Sequence, residues 1–166
     1  MEKLLGLKVQ KNVKVLGFDT ASRTGWARAR TDASRCFIDY GFIDVESKDL
    51  YYKYNQCINI FNSVVTDEDI VVIEETFYSK NVRVFQMLSR LGAFIYTLCQ
   101  LKGIKHKYFL SAISARKKLG LPVHKKEIVH KAFLQKVPDI KIDDIDILDA
   151  IILAFCGLTK ESELDI

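Results

Sequence analysis

Apolar residues alternate, cluster and then recur at helical spacing along this chain, and each change of period marks a segment. The stretch NVKVLGFD at 12–19 is an apolar run closing on Asp19, and it predicts a strand. Alternation resumes at 26–30 after a polar turn holding Gly25, and CFIDYGFIDV at 36–45 is a third strand. Turns near 20–24 and 31–35 make these three an antiparallel meander. Leu50, Tyr54, Cys57, Ile58, Phe61 and Val65 then fall at helical spacing, with Asp49 placed to open that helix. IVVIEETF at 70–77 is a fourth strand that ends in two adjacent glutamates. Val84, Met87, Leu88, Leu91, Phe94, Ile95 and Leu98 predict a long helix over roughly 80–101, stopped by Gly103. IKHKYFL at 104–110 is a fifth strand, and ISARKKLG a short helix or turn. HKKEIVHKAFLQKV at 124–137 is helical, and a last helix runs over roughly 146–155.

The order β-β-β-α-β-α-β-α-α predicts an α/β fold, a mixed five-stranded sheet with helices on both faces. This is the order of the RNase H-like fold; ferredoxin-like and partial doubly-wound arrangements share the pattern. With 166 residues, 49% of them apolar, and no Pro/Gly/Ser-rich linker, 1–166 is expected to be a single domain. No apolar run reaches the roughly 18 residues of a membrane span, and the first residues lack the apolar segment of a signal peptide. The expectation is a cytoplasmic protein without a membrane partner. Cys36, Cys57, Cys99 and Cys156 are scattered among apolar residues, which excludes a disulfide framework or a zinc motif. His106, His124 and His130 form no i,i+4 metal pair.

Net charge is only +4, but its distribution is uneven. Between 102 and 131 there are nine Lys/Arg residues against one acid, Glu127; between 139 and 149 there are five aspartates against Lys141. A solvated surface explains such runs, and so does a nuclease that grips phosphates with lysines and holds cations with carboxylates. Metal-dependent phosphodiester hydrolysis needs several acids delivered from separate rigid elements. Asp19 ends the first strand, and Glu74 with Glu75 ends the fourth. Asp146 and Asp149 are three apart at the start of the last helix, on one face. Helix capping explains Asp146 better than Asp149, which already lies in an apolar helix. A turn residue is the plain alternative for Asp19. Neighbours on a strand point to opposite faces, and both faces of IVVIEE are apolar, so alternation leaves the choice between Glu74 and Glu75 open.

Three stretches together resemble the RuvC family of Holliday junction resolvases, in a diverged or phage-borne form. VLGFDTASRTGWA (15–27) resembles the family's opening strand, and VVIEETFYSKN (71–81) its acid-terminated strand with a phenylalanine three residues on. DILDAIILAFCG (146–157) resembles its last helix. The resemblance selects Glu74 over Glu75 and makes Asp19, Glu74, Asp146 and Asp149 the ligands of two Mg²⁺ ions, with Mn²⁺ as an alternative. It makes Lys126 a catalytic lysine, and gives DNA contacts to Phe77, Tyr78, Lys80, Arg116, Lys117, Lys118 and Lys125. A phenylalanine just after a strand is also a natural core residue. Ser22, Arg23 and Thr24 lie where the first turn could touch a phosphate near the metals. The implied activity is paired nicking of four-way DNA junctions by a homodimer, leaving 5′-phosphate ends, in a bacterial or phage-infected cell. The long helix near 84–101, with Ile95, Tyr96 and Cys99, is the candidate dimer face. The alternatives are an RNase H-fold nuclease of broader branched-DNA or RNA–DNA hybrid specificity, and a non-catalytic nucleic-acid-binding protein of the same fold. Two departures stand out: Thr20-Ala21 replaces the usual Pro-Gly, and no histidine follows Asp149 where some bacterial members have one.

Overall fold

A computed structural model describes residues 3, 4, 6–21, 23–45, 47, 49–77 and 81–159. The strands are β1 (Lys3–Leu4), β2 (Leu7–Lys8), β3 (Lys14–Asp19), β4 (Thr24–Thr31), β5 (Cys36–Ile43), β6 (Ile70–Glu74) and β7 (His106–Leu110). The helices are α1 (Leu50–Val64), α2 (Val82–Leu101), α3 (Ala112–Lys118), α4 (Lys126–Lys136) and α5 (Ile145–Leu158). β3 to β7 form one sheet in the order β5-β4-β3-β6-β7. Within it β3, β4 and β5 pair antiparallel, and β6 and β7 run parallel to β3. The expected mixed five-stranded sheet with helices on both faces is therefore present.

Period-2 alternation divides the central strands between two cores. Leu16 and Phe18 of β3 and Val71 and Ile73 of β6 pack with Phe61 of α1 and with Leu91, Ile95 and Cys99 of α2. Val15 and Val72 face the opposite way, with Ala27 and Ala29 of β4, and lie under α5, α3 and α4. Both central strands are buried on both faces, which is why their sequence is continuously apolar. Ile95 and Cys99 belong to the chain's own core, so they broaden the buried face of α2 rather than being available to a second copy. Tyr96 is partly exposed and stacks on Phe109 of β7, with centroids 5.7 Å apart.

The element boundaries follow local chemistry. Asn81 caps α2, its side chain accepting from the Val84 N–H at 3.2 Å, and Gly103, at φ 75°, ends the helix as expected. Ser111 caps α3, so ISARKKLG begins as a helix and not a turn. The strand expected over 70–77 is β6, which covers the apolar run and stops at Glu74. The β1–β2 hairpin was not anticipated, since two-residue strands carry no periodic signal.

Helix α5 is apolar on every side, and every residue from Ile147 to Leu158 is buried. It lies on the sheet at backbone contact distance. A Cβ on Gly17 of β3 would stand 2.4 Å from the Ala150 carbonyl oxygen, and one on Gly25 of β4 would stand 2.2 Å from that of Asp146. At the other end of the helix, a Cβ on Gly157 would stand 2.4 Å from Val15 Cγ1. Three glycines thus set the height of the helix above β3 and β4. Gly17→Ala must push α5 off the strand and is expected to cost about 2–3 kcal/mol, read as a lower urea midpoint at unchanged slope. An unchanged midpoint would mean that the helix does not seat this closely.

Candidate active site

Two strand ends and one helix turn bring three carboxylates together. Phe18 pairs with Ile73 in the parallel β3–β6 register, so the next residues, Asp19 and Glu74, end neighbouring strands side by side. Alternation gives their direction. Asp19 shares a face with Val15 and Gly17, beneath α5; Glu74 shares one with Val72, in the same core. Glu75 lies beyond the strand and is exposed, its N–H donating to the Leu110 carbonyl at 3.0 Å. Thr20 donates its hydroxyl to the Glu74 carbonyl at 3.3 Å and ties the two strand ends together.

Asp149 descends from α5 and is only 8% exposed. Its Oδ2 lies 2.5 Å from Lys126 Nζ, and its Oδ1 lies 2.9 Å from His130 Nε2. Burial opposes its charge, but the hydrogen bonds from His130 and Lys126 outweigh burial and hold Asp149 below the usual carboxylate range. An ionised carboxylate can only accept, so His130 presents its Nε2–H. Lys126 loses solvation here, yet the bond and charge of Asp149, with the charges of Asp19 and Glu74, keep its pKa above the usual lysine value.

Asp19 behaves in the opposite way. It is 4% exposed, and burial, then the hydrogen bond and charge of Glu74, then the charge of Asp149, push its pKa up to about 10. Lys126 pulls the other way without prevailing. At neutral pH the Asp19–Glu74 pair therefore retains a proton that two isolated acids would have lost. Asp19 Oδ2 is buried and has no hydrogen-bond partner. An acceptor oxygen left bare inside a cluster of hard oxygen donors suits a divalent cation such as Mg²⁺. Among the described residues, no three acid, histidine or cysteine groups stand close enough, as their side chains lie, to enclose an ion. The donors fit a cation in charge and chemistry, while Asp149 is held by Lys126 and His130.

Asp146 is engaged elsewhere. The cap of α5 is Asp144, whose Oδ1 accepts from the N–H groups of Asp146 at 3.1 Å and Ile147 at 3.2 Å. Arg23, in the β3–β4 turn, donates to Asp144 Oδ2 at 2.7 Å and to Asp146 Oδ2 at 3.3 Å. Its guanidinium lies over the ring of Phe42, 3.7 Å from the centroid. Burial works against the Asp144 charge, but the Arg23 and backbone hydrogen bonds outweigh it and lower its pKa.

Of the expected DNA contacts, Arg116 stands beside this cluster. Phe77 is 56% exposed, so it is not a core residue. Arg116 of α3 lines a small pocket with Glu74 and Asp149, floored by Ile152 and Leu153. Lys117 and Lys125 are exposed and Lys118 is half-buried. Ser22, Tyr78 and Lys80 lie outside the described residues. Two participants escaped the sequence reading. His130 was set aside for lacking a histidine partner, although it stands four residues after Lys126 and so shares its helix face. Asp144, taken only as part of an acidic run, is the cap and an anchor of Arg23.

Several solved structures share this architecture. Thermus thermophilus RuvC in complex with a Holliday junction substrate superposes with a TM-score of 0.74 at 13% identity, covering 87% of this chain and 92% of that one. A second Thermus thermophilus RuvC structure gives 0.71 at 13% identity, covering 89% and 98%. The yeast mitochondrial Holliday junction resolvase Ydc2 gives 0.61 at 13% identity, covering 93% and 81%. The chain has an RNase H-like fold. No protein-family model matches it, and no curated protein matches its sequence. Among the described residues, no helix is long and apolar enough to cross a membrane.

Because folded Asp19 holds its proton up to about pH 10 and the unfolded chain releases it above about pH 4, the metal-free protein should lose stability as pH rises between those values. Asp19→Asn removes this dependence. Its stability relative to the parent, from denaturant titrations without divalent ions, should improve steadily from pH 5 to pH 9. A constant difference would show that Asp19 is not held protonated.

Proposed function

We propose that this protein is a structure-selective endodeoxyribonuclease that nicks four-way DNA junctions at symmetric points and leaves 5′-phosphate ends. The observation that carries the reading is the convergence of Asp19, Glu74 and Asp149 on one face, with a bare buried oxygen on Asp19. It is supported by the fold shared with junction-resolving proteins. Asp19, Glu74, Asp149 and, when released from Arg23, Asp146 are the residues that would hold Mg²⁺ or Mn²⁺, two ions in the full site. Bound there, divalent ions supply Lewis acidity toward a phosphate oxygen and activation of water.

The chain's own groups divide the remaining work. The Lys126 ammonium lies against Asp149 and offsets the acids' negative potential, which would otherwise repel a phosphodiester. The His130 N–H fixes the Asp149 carboxylate in orientation. Arg116, beside Glu74 and Asp149, is placed to take a backbone phosphate, with Lys117, Lys118 and Lys125 as the outer rim. Phe77 follows the β6 acid by three residues and offers an exposed ring on which an unpaired junction base can stack. Two symmetric nicks require two such sites, hence a homodimer.

A mobile four-way junction, a flap, a plain duplex and an RNA–DNA hybrid incubated with Mg²⁺ or Mn²⁺ test the reading. Paired nicks on the junction are expected, falling at least about 10³-fold in Asp19→Asn and Glu74→Gln. Phe77→Ala should reduce junction cleavage about tenfold and leave duplex binding nearly unchanged. Equal cutting of the hybrid would favour a broader RNase H-fold nuclease. No cutting of any substrate would favour a non-catalytic nucleic-acid-binding protein.

A further inference from the structure

We infer that Arg23 is a tethered counter-cation, a positioning residue that occupies Asp146 until a divalent ion displaces it. The inference rests on the nuclease reading above, and it explains why the fourth acid stands apart from the other three. Arg23 belongs to the turn that follows Asp19, whereas Asp144 and Asp146 open α5. Its guanidinium bonds both aspartates, at 2.7 and 3.3 Å, and lies flat on Phe42. The longer and weaker bond goes to Asp146, the candidate ligand, and the shorter one to the helix cap.

That division is what an exchangeable contact requires. Asp144 keeps its cap bonds to Asp146 N–H and Ile147 N–H through Oδ1 and holds Arg23 through Oδ2, so Arg23 stays anchored if Asp146 lets go. The backbone of Asp146 cannot yield, because its carbonyl lies against Gly25. Exchange is thus confined to the Asp146 side chain, which is about one-quarter exposed. Phe42 gives the guanidinium a second resting surface through its ring face. The two ion pairs of Arg23 join the first turn to the start of α5, so without an ion it also fastens the helix start to the sheet.

The test is Mn²⁺ binding to the full chain by isothermal titration calorimetry, without DNA. Arg23→Ala and Arg23→Gln remove the competing charge and should bind Mn²⁺ about five- to tenfold more tightly than the parent. Arg23→Lys keeps the charge and should stay within about twofold. The glutamine variant can still bond Asp144, so it serves if the alanine variant does not fold. A merely structural Arg23 gives the opposite sign, with weaker Mn²⁺ binding as the helix start loosens. Equal or weaker binding in both neutral variants overturns the inference while leaving the nuclease reading intact, since the parent would still bind Mn²⁺ and cut the junction. A parent that binds no Mn²⁺ and cuts no DNA removes both.

Discussion

The arrangement depends on how closely α5 approaches β3 and β4. A helix on a sheet is normally held off by side chains; here Gly17, Gly25 and Gly157 remove them at three points, and backbone meets backbone or a valine methyl directly. The close seat places Asp149, the residue before Ala150, over the end of β3 where Asp19 stands. A spacer of one methyl group would separate the two carboxylates and open the pocket to water. The same approach brings the start of α5 against the β3–β4 turn, within reach of Arg23.

Close seating has an electrostatic cost that the molecule meets with its own cations. Asp19, Glu74 and Asp149 repel where they converge, and the four candidate acids are handled in different ways. Asp149 stays ionised through Lys126 and His130, both from α4. Asp19 stays protonated against Glu74. Asp146, apart from these at the start of α5, is paired with Arg23 from the β3–β4 turn. Without added ions, the site is therefore a set of acids balanced by lysine, arginine and a retained proton. Each of these partners is weak enough in principle to be exchanged for a harder cation.

Much of this was legible in the sequence, for definite reasons. The strands and long helices announced themselves by period, and the mixed sheet followed from the meander preceding the strand–helix units. Asp19 and Glu74 were visible because a charged residue closing a doubly buried strand has few structural uses. The direction of Glu74 was not, since both faces of β6 are apolar; only its register with β3 and the packing of Val72 beneath α5 show it. His130 was missed because its partner is a carboxylate from another helix, nineteen residues away. The role of Arg23 lay equally far from local pattern, since its partners are more than 120 residues on. Long-range pairing of this kind leaves no periodic trace.

The bridge between Val9 and Thr159 has a practical reach. It joins the segment before β3 to the end of α5, and Gln10 N–H donates to the Leu158 carbonyl at 2.9 Å beside it. Thr159 follows Asp149 by ten positions along α5 and its cap, roughly 15 Å at the α-helical rise. The two ends of the core thus emerge together at the pole opposite the acids. A dye, surface anchor or fused partner attached at this pole would leave the carboxylate face open.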